Sequence, residues 1–178
     1  MWFVVALPIF LYEQLNWGFS EVGSFLALWV TGYGVVQSCV PTFIKSSKDG
    51  LSNEVKAAKF WIIVLFLVTA ILALSLNHSL DVSKIVMLGL AAFGLCFAIN
   101  SSIHSYLILG FTSVDKVTLS VGFYYSANAA GRLIGTFLSG ITYQLGGLQA
   151  ALYGSAGMLL IAVILTIVMA SSLRSLDC

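Results

Sequence analysis

The sequence predicts an all-α protein, a polytopic bundle of membrane helices, and three observations support this prediction. Hydrophobic residues make up 60% of the 178 residues, only 8% are charged, and the mean hydropathy is +1.02. A soluble domain carries about 25% charged residues, so this chain lacks the side chains that would cover a water-facing surface. Most of its apolar runs reach the length of about 20 residues that crosses a bilayer.

The apolar runs divide the chain into helices of one transmembrane domain, residues 1–178. We predict helices at residues 1–12, 21–44, 57–76, 85–111, 117–144 and 148–171. A helix over residues 1–12 rises only about 18 Å, whereas the hydrocarbon core is about 30 Å thick. We therefore expect this first helix to be partial, with further sequence before Met1.

The lysines and arginines predict how the chain crosses the membrane. If the runs alternate in direction, one side of the membrane holds Lys45, Lys48, Lys56, Lys59, Lys116 and Arg174. The other side holds Lys84 alone. Cytoplasmic loops carry the excess of basic residues, so we expect both chain ends to be cytoplasmic and the protein to be a multi-pass protein of the cell (inner) membrane.

Several classes of function are disfavoured by what the sequence contains. The net charge of +1 gives no basic footprint for nucleic acid. Cys39, Cys96 and Cys178 stand far apart, so we expect no disulfide framework and no metal site.

Ser155 follows a glycine, as in intramembrane serine proteases. However, His104 precedes this serine, whereas those enzymes place their histidine after it. We therefore predict no catalytic residues, no cofactor and no enzymatic activity.

The fifth run carries the side chains that point most directly to a ligand. Tyr124, Asn128 and Arg132 recur every four residues and so share one helix face. Arg132 lies near the middle of its run, where an arginine costs at least about 2.5–3.5 kcal/mol. Such a residue either binds an anion in a translocation cavity or is a structural arginine satisfied by Asn128, by carbonyls or by an acid elsewhere.

A row of small residues lies beside these polar ones. Ala127, Gly131, Gly135 and Ser139 also recur every four residues. Small residues let two helix backbones approach closely in lipid. We predict that this row packs against another helix, either in a missing half of the protein or in this chain.

Two further runs carry polar and aromatic candidates. Asn100 and His104 are four apart in the fourth run, and the histidine either relays protons or is a hydrogen-bonded packing residue. Trp29, Tyr33 and Gln37 follow the same spacing in the second run. They either line a cavity or pack against a neighbouring helix.

These features together resemble one half of a major facilitator superfamily transporter. They are the paired cytoplasmic ends, the basic loop after the second helix, and the motif Asn-x-x-Gly-Arg-x-x-Gly that begins at Asn128. Such carriers contain two six-helix halves, with the substrate between them. The resemblance implies the C-terminal six-helix half, with its first helix truncated, and an N-terminal six-helix partner in cis or in trans.

Two segments carry a narrower resemblance. The segment from Trp2 to Tyr12 and the segment from Val22 to Gly34 are similar to ArsJ-type organoarsenical efflux permeases. This resemblance implies export of 1-arseno-3-phosphoglycerate, arsenate resistance and a functional link to glyceraldehyde-3-phosphate dehydrogenase. Two alternatives stay open: a major facilitator carrier of a drug or sugar, and a non-transporting membrane module that assembles with partner helices.

Overall fold

The computed structural model describes residues 5–43, 52–76, 81–112 and 117–176, and the described residues form helices and short turns without a strand. The helices are α1 (Ala6–Glu13), α2 (Phe19–Phe43), α3 (Ser52–Ser75), α4 (Val82–Phe111) and α5 (Val117–Leu176). The predicted all-α class is confirmed. Helix α3 begins earlier than the predicted residue 57, so Lys56 lies within its first turns and is exposed.

Helix α5 is bent at two consecutive glycines. Gly147 has a φ of 65°, a left-handed conformation that glycine adopts without the steric cost of a Cβ. Gly146 also leaves helical geometry, with a φ of −169° and a ψ of 31°. We call residues 117–145 the first arm of α5 and residues 148–176 its second arm.

The predicted count of six helices is not confirmed, because the described residues form five helical elements. The predicted break at residues 145–147 does coincide with the bend in α5. Non-helical φ/ψ angles at Gly146 and Gly147 separate the two helical arms of α5, which meet at this bend.

Side chains fix the beginnings of α2 and α4. Glu21 Oε2 accepts a hydrogen bond from the Gly18 backbone N–H at 2.7 Å, as in a capping box. Asp81 caps α4, accepting from the Lys84 backbone N–H at 3.3 Å and pairing with Lys84 Nζ at 2.6 Å. The hydrogen bond from the Lys84 side chain, followed by that from its backbone, lowers the pKa of the exposed Asp81 carboxyl.

The bundle is centred on α3, which packs against both α4 and α5, while α2 packs against α4. The short α1 packs mainly on α5, where the buried Ala6 N–H donates to Ser139 Oγ at 3.2 Å. This bond satisfies a backbone donor that helix geometry leaves free. At the other end of α1, Tyr143 Oη donates to Glu13 Oε2 at 3.3 Å. The core cluster includes Leu11, Leu65, Leu90 and Leu152.

Within the described ranges, four helices are long and apolar enough to cross a membrane: Phe19–Val40, Asn53–Ser75, Val82–Phe111 and Val117–Ser171. Large apolar side chains cover their outer faces; Leu28, Phe123 and Leu133 are 74%, 77% and 75% exposed. Patches of this kind mark contact with lipid or protein. The chain is therefore a multi-pass membrane protein.

The orientation across the membrane stays a prediction. Lys45, Lys48, Lys116 and Cys178 lie outside the described residues. Arg174 lies in the last turns of α5, but its side chain also lies outside the described part of the chain.

Candidate functional site

Arg132 lies in the first arm of α5 and is exposed. Its Nε donates a hydrogen bond to Asn128 Oδ1 at 3.1 Å, one turn earlier in the same helix. Thr136 Oγ1 donates to the Arg132 backbone oxygen at 2.9 Å. No carboxylate in the described part of the chain forms a salt bridge with Arg132, so the charge of the guanidinium is oriented but not neutralised.

Helix α4 provides the facing wall, with Asn100 and His104 one turn apart. The His104 Nδ1 lies 2.9 Å from the Asn100 backbone oxygen. A carbonyl only accepts, so Nδ1 carries a proton and Nε2 is the acceptor of the neutral ring. Within the described residues, no group donates to the buried Asn100 Oδ1. Asn100 Oδ1 is thus a buried acceptor without a partner in the described part of the chain.

Helix α2 contributes Tyr33, whose ring stacks on Trp29 at a centroid distance of 6.3 Å and meets Phe97 of α4 at 5.7 Å. Trp29 Nε1 donates to the Leu90 backbone oxygen at 2.8 Å. Trp29 thus connects α2 to α4, whereas Tyr33 lines a cavity between these two helices and α5.

Gln37 makes the second connection between α2 and α4. Its Nε2 donates to Ser101 Oγ at 3.4 Å, and its backbone oxygen accepts from Ser102 Oγ at 3.1 Å. Gln37, like Trp29, is thus engaged in helix packing, while one residue of the predicted row, Tyr33, lines a cavity.

Three helices surround a cavity of about 330 Å³, which we call the polar cavity. Its lining residues are Tyr33, Phe97, Asn100, Ser101, His104, Tyr124, Asn128, Gly131 and Arg132. Arg132 supplies the fixed charge, and none of these lining residues is an aspartate or glutamate. Ser105 Oγ and Tyr124 Oη, 3.5 Å apart, connect α4 to the first arm of α5 beside it. The arrangement offers one cation and several hydroxyl and amide groups to a single ligand.

The row of small residues divides between two environments. Gly135 and Ser139 are buried, and Ser139 contacts α1 through the bond from Ala6. Ala127 and Gly131 are exposed, and a Cβ at Gly131 would meet nothing within 4 Å. Packing of a further helix on the exposed half of the row stays a prediction.

Sequence reasoning did not single out every residue of the site. Phe97 and Ser101 also line the polar cavity. Phe97 lies three residues before Asn100, and Ser101 lies four residues after Phe97. This spacing places them on one face of α4. Outside this site, the sequence analysis also did not single out Glu54, which lies in the first turn of α3 and is only 7% exposed. Its Oε2 has no hydrogen-bond partner among the described residues.

Other cavities lie elsewhere among the described residues of the bundle, and two of them bear on the predictions. A cavity of about 470 Å³ adjoins the bend at Gly146 and Gly147 and has no charged residue in its lining. Another of about 260 Å³ lies between α3, α4 and both arms of α5. Ser155 is buried in the wall of this smaller cavity, whereas His104 lines the polar cavity. In the described ranges, no three His, Cys, Asp or Glu side chains cluster closely enough to hold a metal ion.

The sequence matches the Major Facilitator Superfamily over residues 1–174. The chain belongs to this superfamily. No curated protein and no solved structure matches it.

Membership in the Major Facilitator Superfamily confirms the broad prediction of a transporter that crosses the membrane several times. Substrates of this class are held between helices near the middle of the bilayer. The polar cavity includes Arg132 of the first arm of α5 and Asn100 of α4. Both residues lie well inside membrane-spanning helices. Of the cavities described above, it is the one lined by a basic side chain.

Proposed function

We propose that this chain carries an organic anion across the membrane by alternating access and that Arg132 binds the anion. The strongest supporting observation is that Asn128 orients the Arg132 guanidinium, which forms no salt bridge within the described part of the chain. Asn128 orients its Nε at 3.1 Å, yet no carboxylate of the described chain pairs with it. A charge within the membrane costs at least about 2.5–3.5 kcal/mol, and an anionic ligand would offset that cost.

The rest of the polar cavity suits an oxygen-rich anion. Tyr33 and Tyr124 carry hydroxyl donors, and the carboxamides of Asn100 and Asn128 add donors and acceptors. Arginine presents a fork of donors that matches a carboxylate or phosphate in two parallel bonds. A substrate with several acidic oxygens and a hydroxyl therefore fits the groups that line the cavity.

Within this class we propose efflux of 1-arseno-3-phosphoglycerate, the substrate implied by the resemblance to ArsJ-type permeases. The compound is formed when glyceraldehyde-3-phosphate dehydrogenase accepts arsenate, so export confers arsenate resistance only in cells with that enzyme. It carries several charged oxygens, which agrees with a cavity containing Arg132 and no acid in its lining.

We further propose that an N-terminal six-helix half, in cis or in trans, completes the transport path. Helix α2 packs on α4 and on the short α1, and only 6% of its membrane-spanning window is buried. Phe123 and Leu133 of the first arm of α5 are also strongly exposed. We place the assembly in the cell (inner) membrane with both ends of this chain in the cytoplasm, as the positions of the basic residues indicate.

A neutral substrate, such as a drug or sugar, is the second candidate. Tyr33 and Phe97 meet at 5.7 Å in the cavity wall, and aromatic faces of this kind bind flat or apolar ligands. With such a substrate, the chain remains a major facilitator carrier, but removal of the Arg132 charge leaves transport intact.

Arsenate tolerance tests the proposal directly. The chain is expressed, with a co-expressed N-terminal six-helix half, in cells lacking their own arsenic efflux, with and without added dehydrogenase. We expect tolerance to arsenate but not to arsenite, dependence on the dehydrogenase, and loss in Arg132→Gln. Lys84→Gln, which removes an exposed cation in the first turn of α4, is the matched control and should retain tolerance. Equal tolerance in Arg132→Gln would rule out the anion site.

A further inference from the structure

The cavity of about 260 Å³ beside the polar cavity, which we call the apolar cavity, has walls of a different chemistry. Leu65 and Phe93 form a buried inner wall, 1% and 3% exposed. Ile134 and Met158, about half exposed at 54% and 48%, form its rim. Ser155 contributes the one hydroxyl of the lining.

The apolar cavity adjoins the polar cavity. Phe97 and Gly131 line both of them. At Gly131 a Cβ would meet nothing within 4 Å, so this stretch of the first arm leaves open space where the two cavities meet. Arg132 lines the polar cavity, so the cationic group and the apolar walls lie in two cavities that share part of their lining.

We propose that the apolar cavity binds the hydrocarbon part of an amphipathic organic anion whose acidic head binds Arg132. This inference rests on the anion site proposed above and extends its substrate class. A compact anion such as an arseno-phosphoglycerate fills the polar cavity alone. An anion with an alkyl or aryl tail also reaches Phe93, Ile134 and Met158.

The chemistry of the two cavities favours this occupant over water or a fully polar ligand. A water molecule needs two to four polar partners to stay in a cavity, and the apolar cavity offers Ser155. Burial of each methylene from water strengthens binding about fourfold. A tail therefore adds affinity by a mechanism that is independent of the head group.

A series of n-alkylphosphonates tests the inference, since the head is constant and the tail grows from methyl to octyl. Binding to the purified chain in lipid nanodiscs is measured by displacement of tritiated hexylphosphonate, with empty nanodiscs as the correction for partition into lipid. We expect affinity to rise about fourfold per methylene and to level off when the cavity is full.

Two variants fill the apolar cavity from opposite walls. Ser155→Leu adds bulk from the second arm of α5 and Ile134→Phe adds it from the first arm, and each should reduce the ratio of hexyl to methyl affinity at least tenfold. Gly157→Leu is the matched control, because a Cβ at Gly157 meets nothing within 4 Å and this residue does not line the cavity. Its ratio should equal that of the unchanged chain.

The outcomes separate this inference from the proposed function. If Arg132→Gln abolishes binding of every phosphonate but tail length has no effect, the anion site stands and the apolar cavity is overturned as a binding site. If both filling variants remove the tail dependence while Arg132→Gln changes nothing, the cavity binds apolar groups and the anion site is overturned. Equal tail dependence in empty nanodiscs overturns the inference by assigning the effect to lipid.

Discussion

Arg132 Nε donates a hydrogen bond to Asn128 Oδ1 at 3.1 Å, one turn earlier on the same face of the first arm of α5. The bond holds one edge of the guanidinium within its own helix. It leaves the remaining donors without a carboxylate partner in the described part of the chain. This hydrogen bond between two neighbouring side chains is the basis of the proposed anion site, so substitution of Asn128 is as informative as substitution of Arg132.

Two substitutions at Asn128 should differ sharply. Asn128→Ala removes the acceptor that orients Arg132 and should weaken anion binding about fivefold, as expected from loss of a hydrogen bond worth about 1 kcal/mol. Asn128→Asp keeps the shape but adds a carboxylate that pairs with the arginine, so it should abolish binding. Titration of the purified variants with phosphonate measures both effects. Stronger binding by Asn128→Asp than by Asn128→Ala would contradict the proposed role of the pair.

Arg132→Lys tests whether the site needs the shape of the guanidinium or merely its charge. Lysine carries the same charge but cannot form two parallel bonds to one acidic group. We expect phosphonate affinity to fall about tenfold or more, from the loss of one charge-assisted hydrogen bond worth about 1.5–3 kcal/mol. Unchanged affinity in isothermal titration of Arg132→Lys would show that the arginine fork is not used.

Trp29 and Gly94 should contribute to stability, with little direct effect on the ligand. A Cβ at Gly94 would lie 3.0 Å from Trp29 Nε1, which already donates to the Leu90 backbone oxygen at 2.8 Å. Gly94→Ala should displace the indole and cost about 1–3 kcal/mol. Equilibrium unfolding in mixed micelles measures the change, with Gly157→Ala in open space as the control. Equal unfolding free energies would show that the indole is free to move.

Much of the fold follows from the sequence because the membrane imposes simple rules. Apolar runs of sufficient length must form helices, since no water is present to satisfy the backbone. The predicted break at residues 145–147 coincides with the bend, where Gly146 and Gly147 leave helical geometry. The predicted count of six helices is not confirmed, because the described residues form five helical elements, one of which, α5, is divided into two arms by this bend.

Less of the candidate site than of the fold could be predicted from the sequence. The cost of a charge within the bilayer singles out Arg132, and four-residue spacing groups Asn128 and Tyr124 with it. Spacing gives the face of a helix but not the neighbour that the face meets, because lipid and protein interiors are similarly apolar. For that reason Trp29 and Gln37 were grouped with Tyr33, although contacts with α4 engage the first two in packing.

Direct binding of an anion to the purified chain is the most decisive measurement. Radiolabelled 3-phosphoglycerate is titrated against the unchanged chain, Arg132→Gln and Lys84→Gln in nanodiscs. The account predicts saturable binding that is lost in Arg132→Gln and retained in Lys84→Gln. Saturable binding of equal strength in all three proteins would contradict the claim that Arg132 forms the anion site of this transporter.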